Sequence, residues 1–193
     1  MSKSVINYCI CLQERGKIMT WQYEFNWELL GDIKEGRPHL GPMVGIEVYR
    51  LMQFCFRDVL EKTYDAQTAD MLFYKAGLLA GKQYFQNVIK LEIASEFNDL
   101  IKLLQSSFME KGIGILRIEE IDHDQGRYVL SIAEDLDCSG LPELDHEFCV
   151  YDEGFIAGIF ESFTGNTFKV KEIDCWCTGD RTCRFVAERI NEK

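Results

Sequence analysis

The chain reads as an α+β protein in which an antiparallel sheet packs against helices. Three observations lead there. Helical periodicities fill the first half after residue 37, two paired alternating segments follow, and a further helix is then succeeded by a second paired segment. With 193 residues and 47% hydrophobic content, the chain is long and apolar enough for a sizeable core. A net charge of −11 and a pI near 4.8 repel phosphate backbones, and no Lys/Arg stripe interrupts the acidic background, so nucleic acid is excluded as a direct partner. No apolar run approaches the roughly 20 residues of a membrane span.

Residues 1–36 are expected to form an N-terminal extension or edge hairpin, with strand-like stretches at Val5 to Leu12 and Lys17 to Phe25 and a link punctuated by Gly31 and Gly36. The first stretch is too short for a signal peptide and lacks a small-residue cleavage site. Residues 37–193 form the main domain. Arg37-Pro38-His39-Leu40-Gly41-Pro42 is a rigid turn, because each proline fixes φ and biases its predecessor away from helix. A helix follows to about Lys62, its apolar stripe formed by Val44, Val48, Leu51, Cys55 and Val59. A second opens near Thr68 and runs to about Asn87, with Leu72, Ala76, Leu79 and Ala80 inward. Its Gly77 and Gly81 cost helix stability, about 1 kcal/mol each against alanine. Close approach of another backbone or a ligand would offset that cost. A third helix, Ser95 to about Lys111, ends at Gly112.

Gly114 to Ile121 and Gly126 to Ala133 alternate as a hairpin. Pro142 and Asp145 announce a fourth helix, with Asp145 as N-cap and Phe148, Tyr151, Phe155, Ile159 and Phe163 on its buried face. Gly154 and Gly158 repeat the four-residue small spacing. Thr167 to Cys177 and Arg181 to Arg189 form the last hairpin.

That hairpin carries the chemistry. Cys175, Cys177 and Cys183 crowd one turn, with Glu172 just before it and Cys149 in the first turns of the preceding helix. Eight cysteines and no secretory signal point to a reduced, cytoplasmic protein, where clustered thiolates hold a borderline metal, zinc above all, in tetrahedral geometry. Cys149 gains from the helix dipole, which stabilises a thiolate. A three-residue loop from Gly179 to Arg181 would pair Cys177 with Cys183 and put all three sulfurs on one face. Glu172 and Cys175 face opposite ways on a regular strand, so using both requires a bulge. The competing explanation is a set of buried free thiols packing as small hydrophobes. Cys9 and Cys11 have no nearby partner to complete a site. The three histidines, His39, His123 and His146, read as solvated or capping residues, and none pairs with a nucleophile.

Taken in order, Arg37-Pro-x-Leu-Gly41, Tyr74-x-Ala-Gly77-x3-Gly81, Gly154-x3-Gly158 and Glu172-x2-Cys175-x7-Cys183-x-Phe185 resemble the 4-vinyl reductase domain family, from about Arg37 to Ile190. That family includes predicted hydrocarbon-binding proteins and aromatic-sensing domains. Its fold is similar to that of TRAPP vesicle-tethering subunits and, in outline, haem-type nitric-oxide-binding domains. The resemblance implies a structural zinc held by Cys149, Glu172, Cys175 and Cys183, with Cys177 as the alternative fourth ligand.

It also implies a module that binds a small apolar, aromatic or tetrapyrrole-type ligand as sensor or carrier. The pocket is expected between the glycine-bearing helices and the sheet, drawn from Phe54, Phe73, Tyr74, Gly77, Tyr84, Tyr128, Phe155 and Phe160, with Phe85 as a further aromatic. The alternatives are an accessory protein or enzyme of tetrapyrrole vinyl reduction, and a dimeric assembly scaffold. The chain shows no nucleotide fingerprint to supply a reductase with hydride, which favours a binding role over catalysis. A homodimer is expected.

Overall fold

The computed structural model describes residues 23–90, 94, 96–144 and 146–190. Val5 to Leu12, most of Lys17 to Phe25, Cys9, Cys11, Ser95 and Asp145 lie outside the described residues. A 3-10 turn, Trp27–Leu30, and one helical turn, α1 (Ile33–Gly36), lead into α2 (Ile46–Thr63) and α3 (Ala66–Tyr84). A π-helical segment, Phe85–Ile89, extends α3. Then come α4 (Phe97–Lys111), β1 (Ile115–Asp122), β2 (Arg127–Ala133), α5 (Val150–Thr164), β3 (Phe168–Asp174) and β4 (Cys183–Arg189). The four strands make one antiparallel sheet in the order β1-β2-β4-β3. The expected α+β order of helices, hairpin, helix, hairpin is what the chain forms.

Local chemistry sets the helix ends. The Asp65 carboxylate accepts the Thr68 amide at 2.6 Å and caps α3. Gly112 and Gly165 stop α4 and α5 in left-handed conformations. Helix α5 begins later than expected: its N-cap is Cys149, so Phe148 precedes the helix. Every residue from Asp152 to Phe160 is buried, because α5 lies between α3 on one side and β3 and β4 on the other.

The face α3 turns inward differs from the expected one. Ala69, Phe73, Gly77, Gly81 and Tyr84 are buried, whereas Leu72, Ala76 and Leu79 are exposed. The reason is backbone contact with α5. A Cβ on Gly77 would collide with the Tyr151 carbonyl, and one on Gly81 with the Phe155 carbonyl. Gly154 and Gly158 meet the carbonyls of Tyr74 and Leu78 in the same way. The two glycine pairs therefore interlock, and Lys82 pairs with Glu161 at 2.8 Å beside them.

The α2 stripe is also displaced. Val44, Val48, Leu51, Cys55 and Val59 are all exposed, joined by Met52 and Phe56. The buried residues of α2 are Gln53 and Leu60. Gln53 Nε2 donates to Asp137 Oδ2 at 2.8 Å, and Arg50 donates to the carbonyls of Leu136 and Ser139 at 2.8 and 2.9 Å. Polar bonds to the 135–139 loop thus anchor α2, while its apolar side faces outward.

Candidate metal centre and adjoining cavity

Three segments meet where β2, α5 and the β3–β4 connection converge. The loop after β2 brings Cys138, the N-cap of α5 brings Cys149, and the final hairpin brings Cys175 and Cys183. All four are buried, and their sulfurs lie within 4.8 Å of one another. The separations are 3.0 Å for Cys138–Cys183, 3.8 Å for Cys149–Cys183, 3.9 Å for Cys149–Cys175 and 4.0 Å for Cys138–Cys175. A tetrahedron with roughly 2.3 Å metal–sulfur bonds has edges of about 3.8 Å, so the donor set fits a four-thiolate ion. This buried cysteine cluster can hold a metal.

The β3–β4 connection departs from the expected three-residue loop. Asp174 pairs with Arg184, and residues 175–182 intervene, including a 3-10 turn at Trp176–Thr178. Cys177 consequently does not pair with Cys183. It is buried beside the four clustered cysteines without being one of them, its thiol pushed up to about 12 by burial and the neighbouring Cys175 charge. In the turn, the Thr178 amide donates to the Cys175 sulfur, while Thr178 Oγ1 accepts the Cys175 amide at 3.2 Å.

Hydrogen bonds from Cys138, Cys149 and Cys183 hold Cys175 far below the usual thiol range, whereas the same network raises Cys149.

Glu172 stands beside the sulfurs rather than among them. It is 1% exposed, and Oε2 accepts the Cys149 amide at 3.1 Å. Oε1 has no partner among the described residues, and burial raises the carboxyl to about 8. A register shift between Glu172 and Asp174 supplies the local irregularity that regular strand geometry would deny. Sequence reading misses Cys138 because it is a single cysteine in an irregular loop, with no partner at ligand spacing. Its Cys-Ser-Gly setting after a strand is the available signal.

A cavity of about 470 Å³ opens on the far side of the Asp135–Asp137 loop. Phe25, Trp27 and Leu30 of the N-terminal segment form one wall, and Ala76, Leu79, Ala80, Gln83 and Tyr84 of α3 form another. Tyr151, Asp152 and Phe155 of α5, Tyr49 of α2, and Ile113, Leu136 and Asp137 complete it. The expected ligand residues divide. Tyr84 and Phe155 line the cavity, their rings 5.2 Å apart, but the other six pack elsewhere. Phe54 sits edge-on to Phe148, and Phe73 joins Leu60 and Ala69. Tyr128 stacks on Phe97 at 4.6 Å and Phe160 meets Phe168 at 5.5 Å, both inside the main core. Gly77 meets the backbone of α5, the Tyr74 carbonyl passes Gly154, and the Tyr74 side chain packs against the main core.

Carboxyls mark the polar end of the cavity. Asp137 accepts from Tyr49 Oη at 2.9 Å and from Gln53, whereas Asp152 is 7% exposed and its Oδ2 has no partner among the described residues. Behind them Asp135 Oδ1 accepts the amides of Asp137 and Cys138 at 2.9 and 3.1 Å. Burial raises Asp135 to about 7 and raises Asp152 well above the carboxylate range. Burial also holds Tyr49 protonated, far above its ordinary value, so it remains a donor.

This architecture defines an α+β domain with a buried cysteine centre beside an apolar cavity. The 4-vinyl reductase domain model matches residues 128–189, which contain all four clustered cysteines. An uncharacterized protein of Methanocaldococcus jannaschii is 24% identical over 154 residues, covering 80% of this chain and 83% of that protein. The phenol-responsive sensory domain of the transcription activator PoxR superposes with a TM-score of 0.62 at 14% identity, over 77% of this chain and 76% of that one. Subunit 3 of a trafficking protein particle complex from Naegleria fowleri, solved covalently bound to palmitic acid, superposes at 0.59 and 15% identity, over 76% and 95%. The fold is shared with both.

Proposed function

We propose that the protein is a small-molecule-binding module, a sensor or carrier, whose fold is clamped by one structural zinc. The cavity carries the reading: about 470 Å³ lies within the ordinary range for ligand sites, and its walls are mostly aromatic and aliphatic with few polar groups. Two proteins of the same fold were solved with small molecules, phenol in one and palmitic acid in the other. Their low identity leaves the ligand of this chain open.

For the metal, the proposed ligands are Cys138, Cys149, Cys175 and Cys183, with Glu172 orienting Cys149 through its amide instead of binding the ion. Four protein ligands close the coordination sphere, so zinc supplies cross-linking and no chemistry. Reduced thiols at this density fit a cytoplasmic setting. Among the described residues, no helix is long and apolar enough to cross a membrane.

A homodimer through α2 accompanies this reading. Leu51 and Phe56 are 66% and 59% exposed, and they continue a run of outward apolar residues along the helix. A contiguous face of this kind marks an interaction surface, and two-fold pairing with a second copy would cover it.

Native mass spectrometry of protein purified without added metal or chelator tests the whole proposal. One zinc per chain, a doubled mass and any retained organic mass are expected. Cys138→Ser should lose zinc while Glu172→Gln keeps it. Metal-free wild-type protein would remove the zinc, and the opposite behaviour of the two variants would restore Glu172 as a ligand.

A further inference from the structure

One wall of the cavity is built unlike the rest. Helices α3 and α5 interlock backbone to backbone, and Tyr49 of α2 donates to Asp137 at 2.9 Å, so those walls belong to the body of the domain. Phe25, Trp27 and Leu30 stand instead on a segment whose regular structure is two single turns, Trp27–Leu30 and Ile33–Gly36, neither with a buried residue. Phe25 and Trp27 are half-buried, whereas Glu24, Asn26 and Glu28 around them are exposed. Two rings thus turn toward the cavity from an otherwise exposed strap.

Among the described residues, the hydrogen bonds of residues 24–44 close within that segment. The amides of Leu29, Gly31, Gly36, Arg37 and Gly41 donate to the carbonyls of Asn26, Glu28, Asp32, Ile33 and Arg37, and the Asp32 carboxylate accepts the Glu35 amide. Lifting the strap therefore breaks no hydrogen bond to the body, and segments held by few buried contacts open at the lowest cost. A pivot is present. Gly31 has a φ of +72° with open space around it, and Gly41 repeats this at +68°. Backbone rotation at either meets no side chain of its own. We propose, building on the ligand-binding reading above, that residues 24–30 form a gate over the cavity, hinged at Gly31 with Trp27 as its plug, through which apolar ligands enter and leave. A bound ligand gives Phe25 and Trp27 a surface to pack on, so occupancy favours the closed strap.

Stopped-flow mixing of the full-length protein with N-phenyl-1-naphthylamine, an uncharged dye that brightens in apolar surroundings, reads both rates. A gate slows entry as well as exit, whereas a plain wall residue acts chiefly on exit. Trp27→Ala should therefore raise the association rate about fivefold or more. Leu79→Ala, on the α3 wall, should raise the dissociation rate and leave association within about twofold. Leu79→Trp, which fills the cavity wall, should weaken binding and so localise the dye. In the wild type, the Leu29 and Gly31 amides should exchange with solvent about tenfold more slowly once the dye is bound.

If Trp27→Ala quickens dissociation alone, as Leu79→Ala does, or if the dye leaves exchange at Leu29 and Gly31 unmoved, the gate is overturned and the cavity stands as a ligand site. Failure of the dye to bind wild-type protein, or binding untouched by Leu79→Trp, overturns both. A melting curve of Trp27→Ala checks its fold. If that variant does not fold, Phe25→Ala serves instead, and an unchanged association rate there overturns the gate equally.

Discussion

Cys138 and Tyr49 are single residues whose loss should have separable consequences. Cys138 contributes a buried sulfur 3.0 Å from that of Cys183, in a loop with no other thiol. Its replacement by serine leaves three sulfurs. If the cluster holds zinc as proposed, zinc content should fall to a small fraction of one per chain, and the melting temperature should drop with it, because structural zinc binding is coupled to folding. Cys177→Ser is the matched control, being buried but outside the cluster, and it should retain zinc as measured by elemental analysis.

Tyr49 acts through a different atom. Its hydroxyl donates to Asp137 Oδ1 at 2.9 Å, so Tyr49→Phe leaves a buried carboxyl short of a donor. A loss of about 1 to 3 kcal/mol in urea denaturation is expected, with zinc unaffected.

At the scale of elements, α3 and α5 are joined by reciprocal glycines, and this contact explains why two helices tolerate residues that weaken helices. Each glycine removes a side chain at the point where the opposite backbone passes, so the helices approach more closely than any Cβ would allow. Gly81→Ala should cost at least about 1 to 3 kcal/mol through overpacking against the Phe155 carbonyl, despite alanine's better propensity. Gly36→Ala, at a position with open space around it, should cost nothing measurable. Chemical denaturation of the two variants gives the comparison. The shift of α3 burial onto Ala69, Phe73, Gly77, Gly81 and Tyr84 follows from the same contact. Leu72, Ala76, Leu79 and Ala80 share a helical face with the right hydrophobicity, but the glycine face reaches the partner backbone, and Ala76, Leu79 and Ala80 are left to line the cavity.

For the whole molecule, a metal in the proposed cysteine centre would tie the β2–α5 loop, the start of α5 and the terminal hairpin into one unit. On that proposal, a strong chelator should lower the melting temperature of the entire domain cooperatively, seen as one shifted transition by calorimetry, and an unchanged transition would count against it. Oligomerisation belongs to this scale as well. If the proposed homodimer forms through α2, Leu51→Glu combined with Phe56→Glu puts charges on the exposed face of α2 and should halve the mass measured by light scattering. A mass unchanged by the pair, or a monomeric wild type, would count against pairing through α2.

What could be read from the residues alone was local or periodic. The α+β order, the four main helices, both hairpins and the glycine spacings follow from hydrophobic period, proline and glycine placement, which act within a few residues of themselves. Three of the four clustered cysteines were visible because two share one hairpin and the third sits at the start of the preceding helix. Only the tertiary structure decided the rest. Cys138 lies 45 residues from Cys183, and chain reversal through α5 and β3 brings them together. The cavity depends on the N-terminal segment folding back over α3, so Phe25, Trp27 and Leu30 become walls of a site that sequence reading assigned to other aromatics. Apolar periodicity identifies a helix face but carries no information on what will cover it. For α2, polar anchors to the 135–139 loop fixed the orientation and left the apolar face outside.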